Sequence, residues 1–309
     1  MTVRRRRAFR RPFRGALAAV AACALAAATA QEPVAVADLP PNALIPDLRV
    51  LPPSDLHLVG DDAAGGALRL KFATVIWNAG EGPIEVHGPA PEGDDGDGGG
   101  GAPPGAAAGA AEGDAEHGHG PDDALPDRTA GRTADRPETD SFVARQVVHD
   151  ADGGRHDLGE VGVLNYEHRH GHLHLASFAR YELWSLEADE PVALVAENDK
   201  IGFCLMDNLM VDEELAARDD PWYFACDQSV QGISPGWGDL YVAELLEQDL
   251  VLTGVPDGRY RLVNVADPDD ALFGADPAVA WASVDLVLEG TTVRAVEGSE
   301  RVGSDAARR

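Results

Sequence analysis

The stretch Ala67–Asn78, ALRLKFATVIWN, opens with Leu68, Leu70 and Phe72 alternating with Arg69 and Lys71, then turns into the run Ala73, Thr74, Val75, Ile76, Trp77. Period-two alternation belongs to a strand with one wet face, and a short apolar run to a strand covered on both. The segment therefore reads as a strand that enters a core. NAGEGPIEV (78–86) follows as a turn into the next strand, so residues 41–88 are read as strands. From residue 141 strand signals resume. SFVARQVVHD, RYELWSL, PVALVAE, DLVLTGV and RYRLVNVAD are short and rich in branched apolar residues, and Asp257-Gly258 is a strong turn signal between two of them. Helical periodicity is confined to MVDEELAARD (210–219), where one short helix fits. Short strands at this spacing predict an all-β, β-sandwich-like domain with long loops.

Residues 89–140 differ in character. GDDGDGGGGAPPGAAAGAAEGDAEHGHGPDD is poor in bulky apolar residues and cannot bury enough surface to offset its ordering entropy, so a disordered insert is expected. Asp94, Asp95 and Asp97 hint at a calcium loop, but no glutamate closes the pattern, and they read as solvated acid, as His117 and His119 read as solvated imidazoles. Residues 297–309, EGSERVGSDAARR, read as a frayed tail.

Net charge is −28, which argues against nucleic acid as a partner, because a phosphate footprint needs basic residues. An acidic surface attracts cations instead. The first thirty residues read as a signal peptide: seven arginines, then GALAAVAACALAAATA, an apolar run short for a membrane span, then Ala28-Thr29-Ala30 as a cleavage site. Its removal takes the charge from −28 by seven to −35. VAAC ending at Cys23 resembles a lipoprotein box and RRAF a twin-arginine signal, so a lipid anchor at Cys23 is the variant of simple secretion. Beyond the leader only Cys204 and Cys226 remain, and in an oxidising compartment such a pair most simply forms one disulfide, with two buried thiols as the alternative.

NYEHRHGHLHLASF (165–178) places histidines at 168, 170, 172 and 174. On a strand alternate residues share a face, and two imidazoles at i and i+2 can reach one ion at ~2 Å from each nitrogen. Positions i and i+4 lie about 13 Å apart on a straight strand, so a third ligand needs a bend, which Gly171 can supply. Imidazole suits copper and zinc.

These histidines head an ordered set of motifs. HRHGHLHLASFARYELW, ENDKIGFCLMD and QGISPGWGDLY occur in the order seen in lysyl oxidase catalytic domains, and PDLRVLPPSDL and LRLKFATVIWNAG resemble that family's opening strands. The similarity covers residues 41–88 and about 141–290. It implies a catalytic domain over 31–88 and 141–296, around the insert. The family's three copper ligands fall on His170, His172 and His174, while His168 matches no ligand. Its self-made cofactor, lysine tyrosylquinone, falls on Lys200 and Tyr241. Beyond the leader the chain has only two lysines, Lys71 and Lys200; where arginine is so preferred, a retained lysine suggests a required amine nucleophile. Asp239, two residues before Tyr241, is the candidate catalytic base, with capping a turn as its ordinary role. Arg180 stands where some relatives carry a histidine, and Asp276 is the one survivor of the family's calcium segment, so calcium is not expected.

The resemblance implies a secreted or extracytoplasmic copper amine oxidase that converts primary amines, including lysine in polypeptides, to aldehydes with O2, releasing ammonia and hydrogen peroxide. The alternative reading is a non-catalytic metal-binding β-sandwich, such as a zinc-binding surface or adhesion domain, that keeps the histidines without making the quinone.

Overall fold

The stretch ALRLKFATVIWN carries β2 (Arg69–Asn78), the middle of the smaller of two antiparallel sheets. Leu70, Phe72 and Ile76 are almost wholly buried, as the alternation requires. On one edge β2 pairs with β1 (Leu48–Val59); on the other, β10 (Trp237–Tyr241) and β11 (Asp249–Val251) lie end to end. β8 (Leu209–Met210) pairs beyond β10. Pro52 and Pro53 cannot donate to a ladder, and the β1 register shifts twice between Leu51 and His57. The interruption is tolerated because β1 is an edge strand.

This computed structural model describes residues 39–60, 67–89, 139–167, 171–226 and 229–303, without the side chains of 139, 167 and 199–201. The leader and the Gly/Ala/Asp-rich insert, with Asp94, Asp95, Asp97, His117 and His119, lie outside the described residues.

The larger sheet runs in the order β14 (Thr292–Ala295), β13 (Trp281–Glu289), β12 (Gly258–Ala266), β6 (His172–Glu187), β5 (Arg155–Glu167), β4 (Thr139–His149), β3 (Ile84–His87), β9 (Val230–Ile233). β7 (Glu190–Phe203) takes the second edge of β6, and β15 (Arg301–Val302) pairs with β13. The two sheets pack face to face, as the sequence pattern implied. Phe72 of β2 meets Tyr181 of β6 edge-on at 4.8 Å between ring centroids. The buried Tyr181 hydroxyl donates to Gln248 Oε1 at 2.9 Å and lies 3.2 Å from Thr74 Oγ1, so the phenol is satisfied between the sheets.

Three expectations shift. The short helix over 210–219 does not form. Asp212 caps Glu214 and Leu215 through its carboxylate and accepts from the Ala216 N–H at 3.1 Å, giving one turn that ends there. Asp257-Gly258 does not close a hairpin; it carries the chain from β11 in one sheet to β12 in the other. The start of the expected frayed tail is held in place: residues 301–302 pair with β13, and Arg301 donates to Ser299 O and Asp285 Oδ1. Residues 304–309 lie outside the described residues.

Candidate metal and cofactor site

β5 and β6 form a hairpin in the register Glu167↔His172, Tyr166↔Leu173, Asn165↔His174, Leu164↔Leu175. Of the period-two histidines, His172 and His174 therefore lie at the start of β6. Gly171, which supplies the bend, has φ +77, a backbone angle that side chains strain to adopt. Leu173 and Leu175 enter the core, so His172 and His174 share the opposite face. Their Nε2 atoms lie 2.7 Å apart, with ring centroids at 4.6 Å. At that separation the two imidazoles could both face one ion, which copper or zinc would suit. His168 and His170 lie outside the described residues. Among the described residues no three His, Cys, Asp or Glu side chains converge as a metal site; of the three expected ligands, His172 and His174 are described.

β7 runs beside this hairpin. Lys200 lies in it, and its side chain is outside the described set. Two residues on, a Cβ added to Gly202 would lie 3.2 Å from the Cβ of His174, so glycine permits the close approach of β7 to the histidine strand. Phe203 and Cys204 follow. The ring of Tyr241 stands edge-on to Phe203 at 3.8 Å. Its hydroxyl accepts from the Cys204 N–H at 3.0 Å and donates to the Cys204 carbonyl at 3.2 Å. Residues 202–204 thus have His174 against one end and Tyr241 against the other. Lys71 is engaged elsewhere: it donates to Leu245 O at 2.6 Å and lies 3.6 Å from Asp249.

Cys204 and Cys226 are disulfide-bonded, with Cα atoms 5.5 Å apart, as export suggested. The bridge ties the end of β7 to a segment whose Cys226 carbonyl accepts from the Leu173 N–H at 3.3 Å, between the two histidines. Gln231, within QGISPGWGDLY, makes a second tie that no sequence pattern above assigns. Fully buried, it donates to Leu173 O at 2.8 Å and accepts from the Leu205 N–H at 3.3 Å. A glutamine beside Gly-Ile in an otherwise apolar strand was the available signal. Gln231→Leu strands both backbone groups, and the expected cost is about 1–3 kcal/mol, read as a lower urea midpoint with unchanged slope.

Asp239 is buried on β10, two residues from Tyr241 and on the same face. Oδ1 accepts from Asn208 Nδ2 at 3.2 Å, while Oδ2 has no partner. Burial, reinforced by the charge of Asp207, pushes its carboxyl well above the usual range. Burial, then the charge of Asp239, likewise pushes the Tyr241 phenol well above its ordinary value, so it stays protonated between the Cys204 groups. Asp207 is structural: it accepts from the Trp222, Tyr223 and Ser234 N–H groups and the Ser234 hydroxyl. Arg180 donates to Glu182 at 2.8 Å, and Asp276 caps the Ala278 N–H at 2.8 Å.

A comparison with curated proteins gives no match. The lysyl oxidase family model matches residues 159–296, from within β5 to the end of β14. That stretch holds the histidine hairpin, Lys200, the disulfide, Asp239 and Tyr241, and this part of the chain is a lysyl oxidase family domain.

Proposed function

We propose that the protein is an extracytoplasmic copper-dependent amine oxidase of the lysyl oxidase type, acting on primary amines, including lysine in polypeptides. The observation that carries this reading is the convergence of His172 and His174 Nε2 to 2.7 Å inside a domain of that family. In it, His170, His172 and His174 hold the metal, and Lys200 supplies the amine that joins Tyr241 in lysine tyrosylquinone. The catalytic domain is built from residues 31–88 and 141–296 around the insert. When bound, copper would supply the redox chemistry with O2 that converts Tyr241, and the quinone would supply an electrophilic carbonyl for a substrate amine.

The chain's own groups do the rest. The Cys204 backbone holds the phenol by two hydrogen bonds, and Phe203 fixes the tilt of its ring. Asp239, on the same face of β10 as Tyr241 and with Oδ2 unpartnered by protein groups, serves as proton acceptor in its ionised form. Over one turnover the amine carbon gives two electrons to O2 and one water supplies the aldehyde oxygen, so aldehyde and ammonia leave with one hydrogen peroxide. The disulfide fits an oxidising compartment, and among the described residues no helix is long and apolar enough to cross a membrane. A lipid at Cys23 remains the variant of free secretion.

The test is copper-loaded protein stained for a redox-cycling quinone, with aldehyde release from a primary amine assayed alongside. Bound metal with neither signal would identify a non-catalytic metal-binding domain instead. His174→Ala should lower bound copper at least tenfold, measured as metal per chain after dialysis, since a ligand is lost. Unchanged copper content would remove the histidine pair from the site.

A further inference from the structure

The loop that follows β8 folds over a cleft of ≈ 420 Å³. Trp222, Tyr223 and Trp237 line it, with His149 and the carboxylates of Glu81 and Asp220. The walls are fixed. Trp237 Nε1 donates to the Arg218 carbonyl at 3.4 Å, the Tyr223 hydroxyl donates to Glu85 at 2.5 Å, and the Trp222 N–H is held by Asp207 at 2.9 Å. Trp222 nevertheless keeps 37% of its surface exposed. One cation already uses that ring: the guanidinium carbon of Arg218 lies 5.0 Å from its centroid.

We propose that this cleft docks an organic cation, the ammonium-bearing side chain of a lysine in a polypeptide, with Arg218 as its internal competitor. Aromatic faces attract cations through the ring quadrupole, tryptophan most strongly, and the acidic residues Glu81 and Asp220 in the lining add Coulomb attraction. The volume lies within the range of small-ligand sites and accommodates a four-carbon stem with its head group. The net charge of −28 draws cationic chains towards this surface.

The position indicates which lysine is held. Tyr223 lines the cleft, and Cys226, three residues on, bonds to Leu173 between the two histidines. Three residues of extended chain span at most ~10 Å. A side chain in the cleft therefore belongs to a residue a few positions from the one presented for oxidation. The cleft selects polypeptides over small amines, and this consequence rests on the amine oxidase reading, whereas cation binding does not.

Two measurements separate the two. The first titrates the full chain with a peptide bearing Nε-trimethyl-lysine, which keeps its charge and cannot be oxidised through its nitrogen, and follows tryptophan fluorescence. Saturable binding is expected, about fivefold to tenfold weaker in Trp222→Leu and severalfold tighter in Arg218→Gln. Tyr241→Phe should bind as the wild type does. Absence of saturable binding, indifference to Trp222→Leu, or preference for an acidic peptide overturns the proposal. The second compares oxidation of a lysine-rich polypeptide with that of a short alkylamine. Trp222→Leu should raise KM for the polypeptide and leave kcat/KM for the alkylamine unchanged; an equal loss on both overturns the selectivity. If wild-type protein oxidises no amine, the amine oxidase reading fails while the titration still decides the cleft.

Discussion

On the proposed assignment, Tyr241→Phe should abolish amine oxidation and the quinone signal while copper content stays at the wild-type level. Conversion to a quinone would need the phenol, which activates the ring carbons for oxidation and whose C–OH would become a quinone carbonyl, and phenylalanine lacks it. The ring itself remains packed edge-on against Phe203, so the local structure has little reason to rearrange. What is lost is the pair of hydrogen bonds to Cys204, whose N–H and carbonyl then lack their partner, at an expected cost of about 1–3 kcal/mol. Lys200→Arg should reproduce the catalytic loss, because guanidinium keeps the charge without offering a nucleophilic amine. Aldehyde release, quinone staining and metal analysis on the same preparation check both. Copper-loaded Lys200→Arg protein oxidising amines at the wild-type rate would sink the Lys200–Tyr241 assignment.

The second large effect concerns Glu85, which lies far from the histidines in sequence. Its side chain is 3% exposed and gathers His87 at 2.7 Å, His149 at 3.1 Å, the Tyr223 hydroxyl at 2.5 Å and Arg155. Burial pushes the carboxyl up, but hydrogen bonds from His149, His87 and Tyr223 outweigh it and hold the group well below the usual carboxylate range. Glu85→Leu removes the common partner and should destabilise the fold by about 3–5 kcal/mol. His87 and Arg155 are open enough to water that their share is small, and most of the loss comes from His149 and Tyr223. Because the folded pKa is lowered, the ionised contribution is complete above the unfolded value of 4.5 and disappears as pH falls below it towards the folded one. Urea midpoints of wild type and Glu85→Gln should therefore differ at pH 7 and draw together below about pH 4.5. A gap constant down to pH 3 would show that the charge of Glu85 does not stabilise the fold.

The strands were legible where periodicity alone decides them. Leu70 and Phe72 alternate with charged residues and are buried as that alternation requires. The pairing of Cys204 with Cys226 followed from having no other partner to offer each other. MVDEELAARD misled because an apolar residue every third or fourth position resembles a helix face; Asp212, a strong cap, starts a turn there that does not continue. The bend expected at Gly171 was legible because a third ligand on a straight strand lies too far away, and Gly171 has φ +77. Nothing local announces the Glu85 cluster or the role of Gln231. Glu85, His149 and Tyr223 come from β3, β4 and a later loop, and only the register of β3 against β4 brings the first two together. The cation cleft has the same origin, with Glu81, His149 and Trp222 contributed by three separate segments.

The placement of β10 and β11 against β2 also governs the order of assembly. Lys71 and Leu245, bonded in the finished fold, are 174 residues apart in the chain. Closing so long a loop is slow compared with the hairpins β4–β5, β5–β6 and β6–β7, which pair neighbours in sequence. The hairpin carrying His172 and His174 is thus among the early products of folding, while the strand carrying Tyr241 docks only when the smaller sheet closes. On the proposed assignment, metal ligands can gather before there is a tyrosine beside them to modify. Maturation then acts as a proofreading step, in which only a chain that has completed its last long-range pairing becomes active.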